Sequence, residues 1–206
     1  MKKRLYLWEK ALLCALCFTF LLQTVAFCAA ETELRERVLR LHVIASSNSE
    51  ADQALKLQVR DRILQECAAF LEGVNGKEEA ACRIEENRES LIAAAEACVR
   101  ENGFDYAVAI RTERCFFPGK VYGDMRFPAG FYDGVRVEIG EAAGKNWWCV
   151  IFPGLCLPAA EEETALQGVL TEEEMKLLRQ EGGYKLGFMA SELFERLRTW
   201  LGSGKE

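Results

Sequence analysis

FPGKVYGDMRFPAGFYDGVRVEIGEAAGKNWWCVIFPGLC, residues 117–156, is the stretch that decides the fold. At 135–139, apolar side chains alternate with charged ones, which is the period of a half-buried β-strand. Residues 140–146 are rich in turn formers, and residues 147–152 form a second β-rich run. The pattern predicts a β-hairpin with a long, glycine-bounded loop.

Two cysteines, Cys149 and Cys156, lie on either side of the Pro153-Gly154 turn that ends the second run. They are seven positions apart across a bend, so their sulfurs can reach disulfide geometry. The export signal described next favours a bridge, because disulfides persist in oxidising compartments. We predict a Cys149–Cys156 disulfide, and two buried free thiols are the alternative.

The N-terminus has the layout of a secretory signal peptide. Basic residues at positions 2, 3, 4 and 10 precede an apolar run at 11–27, and small residues follow at 28–30. This pattern predicts a signal peptide over residues 1–30 that is cleaved after Ala30 and is not part of the fold. An uncleaved membrane anchor is one alternative. A lipoprotein site at Cys28 is another, although Phe27 is large for the position before the cysteine.

Periodicity along the rest of the chain indicates strands and helices in turn. The predicted elements are a strand at 38–45, helices at 52–72 and 77–101, and a strand from 106 towards 117. Ser49 and Asp52 form the capping pair that begins the first helix. This order predicts an α+β fold, in which two long helices pack on one face of a mostly antiparallel sheet, with C-terminal helices beyond it.

The same patterns divide the chain into three segments. We expect residues 1–30 to be the signal segment, 31–157 the α+β domain, and 158–206 an acidic linker at 158–168 followed by the C-terminal helices. In the last segment, a capping box of Thr171 and Glu174 begins a short helix. A final helix is predicted over about 185–201, where one stripe is apolar.

Composition and motifs exclude several function classes. The 206 residues carry a net charge of −6 and no basic patch, which argues against nucleic-acid binding. One histidine cannot make a two-histidine metal motif, and phosphate-loop and nucleophile-elbow motifs are missing, so the sequence predicts neither a metal site nor a cofactor. A hydrolase alternative stays open, because His42, with Ser46 or Ser47 and Asp52, supplies the residue types of a catalytic triad.

Several separate motifs, in the same order, resemble the stage II sporulation protein R family over about residues 35–157. They are LRLHVIASSNS at 39–49, DQALKLQVRD at 52–61, KVYG at 120–123, FPAG at 127–130, Tyr132, VRV at 135–137, Gly140, NWWCVIFP at 146–153 and Leu155-Cys156. The last fifty residues match weakly.

The resemblance implies a signalling protein rather than an enzyme. Proteins of this family are made in the forespore of endospore-forming bacteria and are exported into the space between the forespore and mother-cell membranes. There they trigger a membrane-embedded aspartic protease that removes the pro-sequence of sigma factor E. Contact with the membrane would then occur only through the signal segment or the receptor. A secreted hydrolase and an anchored structural protein of the envelope are the rival functions.

An activator without catalytic groups must act through a surface that binds one state of its receptor better than another. Such surfaces favour aromatic and hydrogen-bonding groups on turns held by a rigid scaffold. The candidate partner-binding residues are His42, Ser46, Asn48, Phe127, Asn146, Trp147 and Trp148. Because Trp147 and Trp148 are adjacent in a strand, they face opposite sides, and at least one is expected in the core.

Overall fold

A computed structural model describes residues 6–153 and 169–181 of the chain. The elements in chain order are α1 (Leu7–Arg37), β1 (Leu39–Ile44), α2 (Glu50–Leu71), α3 (Lys77–Glu86), α4 (Arg88–Glu101), β2 (Val108–Phe117), β3 (Lys120–Tyr122), β4 (Met125–Phe127), β5 (Gly130–Ile139), β6 (Asn146–Phe152) and α5 (Glu172–Leu178). The linker predicted at 158–168 and the helix predicted at 185–201 lie outside the described residues.

Four strands form one mixed sheet in the order β2-β5-β1-β6, and β3 pairs with β4 in a separate two-stranded sheet. β1 runs parallel to β5, while the β2–β5 and β1–β6 pairs are antiparallel. Helices α2, α3 and α4 pack on one face of the larger sheet. The predicted fold class, α+β with helices on one face of a mostly antiparallel sheet, is confirmed.

The predicted hairpin between the two β-rich runs is wrong. β5 and β6 are not neighbours, because β1 lies between them and pairs with both. All six residues of β1 are buried, as expected for a central strand that is covered on both faces. The segment 140–145 therefore passes the end of β1 and connects two strands that are not neighbours, instead of closing a hairpin.

The two predicted helices are present, but the second is interrupted. At the start of α2, Oγ of Ser49 accepts a hydrogen bond from the backbone N–H of Asp52 at 3.1 Å, which confirms the predicted cap. The helix predicted at 77–101 divides into α3 and α4 at Asn87. The Asn87 side chain donates to the carbonyl of Arg83 at 2.8 Å, and such local side-chain bonds compete with helix continuation.

A first hydrophobic cluster, the helix-side core, lies between the sheet and α2–α4. Its members include Leu41, Val43, Val59, Ile63, Leu91, Val135 and Val137. Cys67 is buried in this cluster, and burial raises the pKa of its thiol to about 12, so it remains protonated at neutral pH. Cys67 therefore acts as a small apolar side chain of the core.

A second cluster, the α1-side core, covers part of the opposite face of the sheet. It contains Phe27, Leu34, Val38, Phe117, Met125, Phe127, Tyr132, Val150, Leu170, Met175, Leu177 and Leu178. In the full chain, Phe27 is only 5% exposed and Ala30 packs against the same cluster. The predicted signal segment at 1–30 and its cleavage stay a prediction. The buried stripe of α1 keeps its helical spacing across the predicted cleavage position, so the helix and the domain share one core.

The short helix α5 begins with the predicted capping box. Thr171 and Glu174 exchange hydrogen bonds between their side chains and each other's backbone N–H groups. The same Glu174 carboxylate pairs with Nε of Arg37 at 2.8 Å. α5 is thereby fixed against the C-terminal end of α1.

Candidate functional site

The sheet face opposite α2–α4 carries a row of four residues in register across all four strands. Arg111 pairs with Arg136, Arg136 with His42, and His42 with Trp148. Neighbouring rows add two glutamates and an asparagine. We call these seven residues the polar face: Arg111, Glu113, Arg136, Glu138, His42, Asn146 and Trp148.

His42 is the centre of the polar face. Its imidazole stacks on the indole of Trp148, with ring centroids 3.6 Å apart and planes 18° apart. Its Nε2 donates to Oδ1 of Asn146 at 2.8 Å. Three of the seven predicted partner-binding residues therefore form one contiguous group across β1 and β6.

The protonation state of His42 follows from its surroundings. The side chain is 5% exposed, and burial lowers its pKa below the ordinary value. The Asn146 hydrogen bond opposes this effect, whereas the positive charge of Arg136 adds to it. His42 is therefore neutral at neutral pH. With Nε2 donating to Asn146, Nδ1 is left as an acceptor that has no partner among the described residues.

The charged part of the polar face is internally balanced. Arg136 binds Oε1 of Glu113 at 3.1 Å and Oε1 of Glu138 at 2.8 Å, and Arg111 also pairs with Glu138. Burial alone would raise the pKa of Glu138, but the two arginines outweigh it and lower that pKa. Two arginines and two glutamates thus form a charged network with no net charge beside the neutral His42.

The turns at one end of the sheet hold Asn146 in place. Oγ of Ser46 accepts a hydrogen bond from the backbone N–H of Glu141 at 3.3 Å, and Nζ of Lys56 donates to the carbonyl of Lys145 at 3.0 Å. A Cβ on Gly144 would lie 2.2 Å from the carbonyl oxygen of Ser47, so only glycine fits this close approach. Ser46, predicted to bind a partner, is buried here and ties the two turns together.

The other predicted partner-binding residues lie apart from His42. Trp147 faces the helix side of the sheet, where the guanidinium of Arg60 lies 4.4 Å from its ring centroid. The predicted opposition of Trp147 and Trp148 is confirmed. Phe127 is fully buried in the α1-side core, and Asn48 is exposed in the turn after β1.

Arg40 is a prominent residue of this region that the sequence analysis did not single out. It is fully buried, and its guanidinium lies 4.8 Å from the ring centroid of Phe117, 5.0 Å from that of Tyr132 and 5.5 Å from that of Phe127. Nε donates to the carbonyl of Cys149 at 3.1 Å. Burial lowers the pKa of Arg40, and the phenols of Tyr122 and Tyr132 oppose this, so a guanidinium that stays charged is held by aromatic rings.

The residue types of the hydrolase alternative are present but are not linked. The hydroxyl of Ser47 donates to the carboxylate of Asp52, and the hydroxyl of Ser46 accepts from the backbone N–H of Glu141. The hydrogen bond of His42 goes to an amide, not to a serine or a carboxylate. Across residues 6–153 and 169–181, the geometry gives a catalytic triad no support, and no group of three His, Cys, Asp or Glu residues could hold a metal ion.

Cys149 is buried next to Trp148 and is disulfide-bonded. Its predicted partner, Cys156, lies outside the described residues. The Cys149–Cys156 pairing therefore stays a prediction.

Comparison with known proteins gives two matches. Residues 35–162 match the family model described as stage II sporulation protein R. The chain is also 33% identical over 121 residues to stage II sporulation protein R of Bacillus subtilis (strain 168), an alignment that covers 59% of this chain and 54% of that relative. The chain thus spans about half the length of the curated relative. No solved structure matches it.

Proposed function

Because the chain belongs to the stage II sporulation protein R family and so has a role in sporulation, we propose that it is an exported signal. In this proposal it is made in the forespore and reaches the space between the forespore and mother-cell membranes. There it activates the membrane-embedded aspartic protease that processes pro-sigma-E. The chain itself performs no catalysis and needs no cofactor, metal or nucleic acid.

The N-terminal segment supports export. The first part of α1 is long and apolar enough to cross a membrane, and basic residues precede it in the sequence. Both a signal peptide and an anchor would carry the C-terminal domain to the outer side of the membrane. A partner embedded in an opposing membrane is accessible from that compartment.

The observation that carries the proposal is the group of His42, Asn146 and Trp148 on the polar face. The indole of Trp148 is partly exposed, and it lies beside the exposed amide of Asn146. Both side chains are carried by β6. Aromatic side chains with adjacent hydrogen-bonding groups dominate the energetics of many protein interfaces. All three residues fall inside the region that matches the family.

Activation in this proposal is a shift of the protease between two states. The polar face binds the active state more tightly than the inactive one, and the ratio of the two affinities sets the size of the shift. The neutral His42 and the balanced Arg–Glu network would make the surface tolerant of burial against a partner, since no unpaired formal charge there has to lose its water.

The test is a reconstitution in a bacterium that does not sporulate. The full chain, the membrane protease and the pro-sigma factor are co-expressed, and cleavage of the pro-sigma factor is followed by immunoblotting. We expect cleavage only when all three proteins are present. A matched control, Leu16→Asp with Leu21→Asp, places charges in the exposed apolar part of α1, blocks export and should abolish cleavage. Cleavage without the chain, or with the non-exported variant, would contradict the proposal.

A further inference from the structure

We propose that α1 is retained as a membrane anchor and that its last turns are a permanent part of the domain. The inference does not depend on the proposed function. It stands on a difference between the two halves of one continuous helix, Leu7–Arg37. Among the residues that the structure describes, none covers the apolar surface of the first half, whereas the second half is part of a hydrophobic core.

The first half of α1 exposes apolar side chains all round the helix. Each of the following is at least 55% exposed: Leu7, Trp8, Leu12, Leu13, Leu16, Phe18, Phe20, Leu21, Leu22 and Val25. Soluble proteins rarely expose a continuous apolar surface of this size to water. The occupant that fits a helix apolar on every side is the hydrocarbon of a lipid bilayer.

The uncharged residues of this half are 11–26, and the basic residues at 2, 3, 4 and 10 all precede them. At 1.5 Å per residue they rise about 24 Å, which is at the short end of a bilayer crossing. Basic residues on the N-terminal side keep that end in the cytoplasm, so the domain emerges on the opposite side of the membrane.

The second half of α1 is part of the α1-side core. Phe27 and Leu34 are buried one turn on either side of Ala30, which packs against the same cluster. The guanidinium of Arg35 binds the Glu31 carboxylate at 2.9 Å and the carbonyl of Ala129 at 3.0 Å. The predicted cleavage position therefore lies in the middle of a docked helical segment.

Charged contacts fix the end of α1 to the domain as well. Nζ of the buried Lys77 lies 3.0 Å from the Glu36 carboxylate and 2.6 Å from that of Asp133. Burial alone would lower the pKa of Lys77, but these two carboxylates raise it, so the cluster is charged. Together with the Arg37–Glu174 pair, it joins α1 to α3, β5 and α5.

Cleavage after Ala30 would remove Phe27 and Ala30 from the core and would leave a new α-amino group beside the buried Glu31. In the folded full chain, residues 28–30 are helical, and Ala30 packs against the α1-side core. In this proposal the chain keeps its N-terminal helix, and the helix holds the domain at the outer surface of the membrane.

The test uses the full chain with a C-terminal tag, expressed in a bacterium with an active signal peptidase. Intact mass spectrometry of the membrane fraction should give the complete chain, 23.2 kDa plus the tag. The protein should stay in the membrane during alkaline carbonate extraction, and protease added to spheroplasts should digest the tag. A mass that lacks residues 1–30, or a lipid-modified chain that begins at Cys28, would overturn the proposal.

Two matched variants test the docking independently. Phe27→Ala removes a buried ring, whereas Phe20→Ala removes a ring that is 60% exposed on the same helix. In detergent micelles, Phe27→Ala should lower the melting temperature by at least about 6 °C, and Phe20→Ala should leave it within about 2 °C of the parent chain. Equal melting temperatures for the two variants would show that α1 is not part of the core and would overturn the proposal.

Discussion

The ring centroids of His42 and Trp148 lie 3.6 Å apart, because the two residues are directly opposite each other on β1 and β6. This stack joins the central strand to an edge strand of the sheet on its polar face. The hydrogen bond to Asn146 sets the tautomer of the ring, and the sheet sets its position. The stack and this hydrogen bond together hold the imidazole against β6.

The pH dependence of stability should report on His42. Its pKa in the folded state lies below its ordinary value, mainly because of burial, so the unfolded chain binds the proton more tightly. Above about pH 7, His42 therefore does not change the free energy of unfolding. Below about pH 6.5, protonation of His42 in the unfolded chain lowers that free energy, by at most about 1.4 kcal/mol per pH unit. Urea unfolding of the full chain in detergent between about pH 7.5 and 5.5 measures this slope.

The control for this prediction is His42→Gln. His42 is the single histidine of the chain, so the variant removes all histidine titration from that pH range. The slope should become nearly flat. Equal slopes for the variant and the parent chain, or an NMR titration of His42 at or above its ordinary pKa, would contradict the assignment.

Arg40 offers a contrast between charge and volume. Arg40→Ala leaves a cavity among Phe117, Phe127 and Tyr132, and we expect it to cost about 3 kcal/mol or more of unfolding free energy. Arg40→Met fills most of that volume without a buried charge, and should change stability by less than about 1 kcal/mol or raise it. Chemical denaturation of both variants is the measurement. A methionine variant as unstable as the alanine variant would show that the charge itself holds the aromatic rings together.

The disulfide prediction concerns the segment that follows β6. We expect Cys149 to be bridged to Cys156 in the exported protein, and loss of the bridge in Cys156→Ser to cost about 2–5 kcal/mol. Peptide mapping by mass spectrometry without reduction identifies the bridged pair. Recovery of Cys156 as a free thiol would refute the pairing.

The central strand illustrates how much could be predicted. The alternation in LRLHVI places Leu41 and His42 on opposite faces of β1, and the structure turns Leu41 towards the helices. The alternation could not show that β1 separates β5 from β6, because periodicity is local whereas strand pairing joins residues that are far apart in the sequence. The pattern also could not show that Arg40 is buried, because the rings that surround it come from β2, β4 and β5.

The candidate site was predicted in part for the same reason. His42, Asn146 and Trp148 come together because β1 and β6 are paired. The sequence motifs contain all three residues but do not indicate that they are in contact. Phe127 is a candidate as an aromatic residue beside a turn, yet the fold buries its ring. Glu113 carried no motif signal, and the VRV motif at 135–137 did not indicate a partner for Arg136, because an ion pair between strands depends on register.

The most direct test of the proposed function compares Trp148→Ala with Trp147→Ala in the reconstituted processing assay. The two indoles are adjacent in β6 and both are partly exposed, but only Trp148 belongs to the polar face. Both variants are first checked for export and for a melting temperature near that of the parent chain. We predict that Trp148→Ala lowers pro-sigma factor processing by at least about tenfold, as expected for the loss of an interface aromatic worth about 2 kcal/mol, while Trp147→Ala retains processing. Full processing by Trp148→Ala, or an equal loss in both variants, would contradict the account.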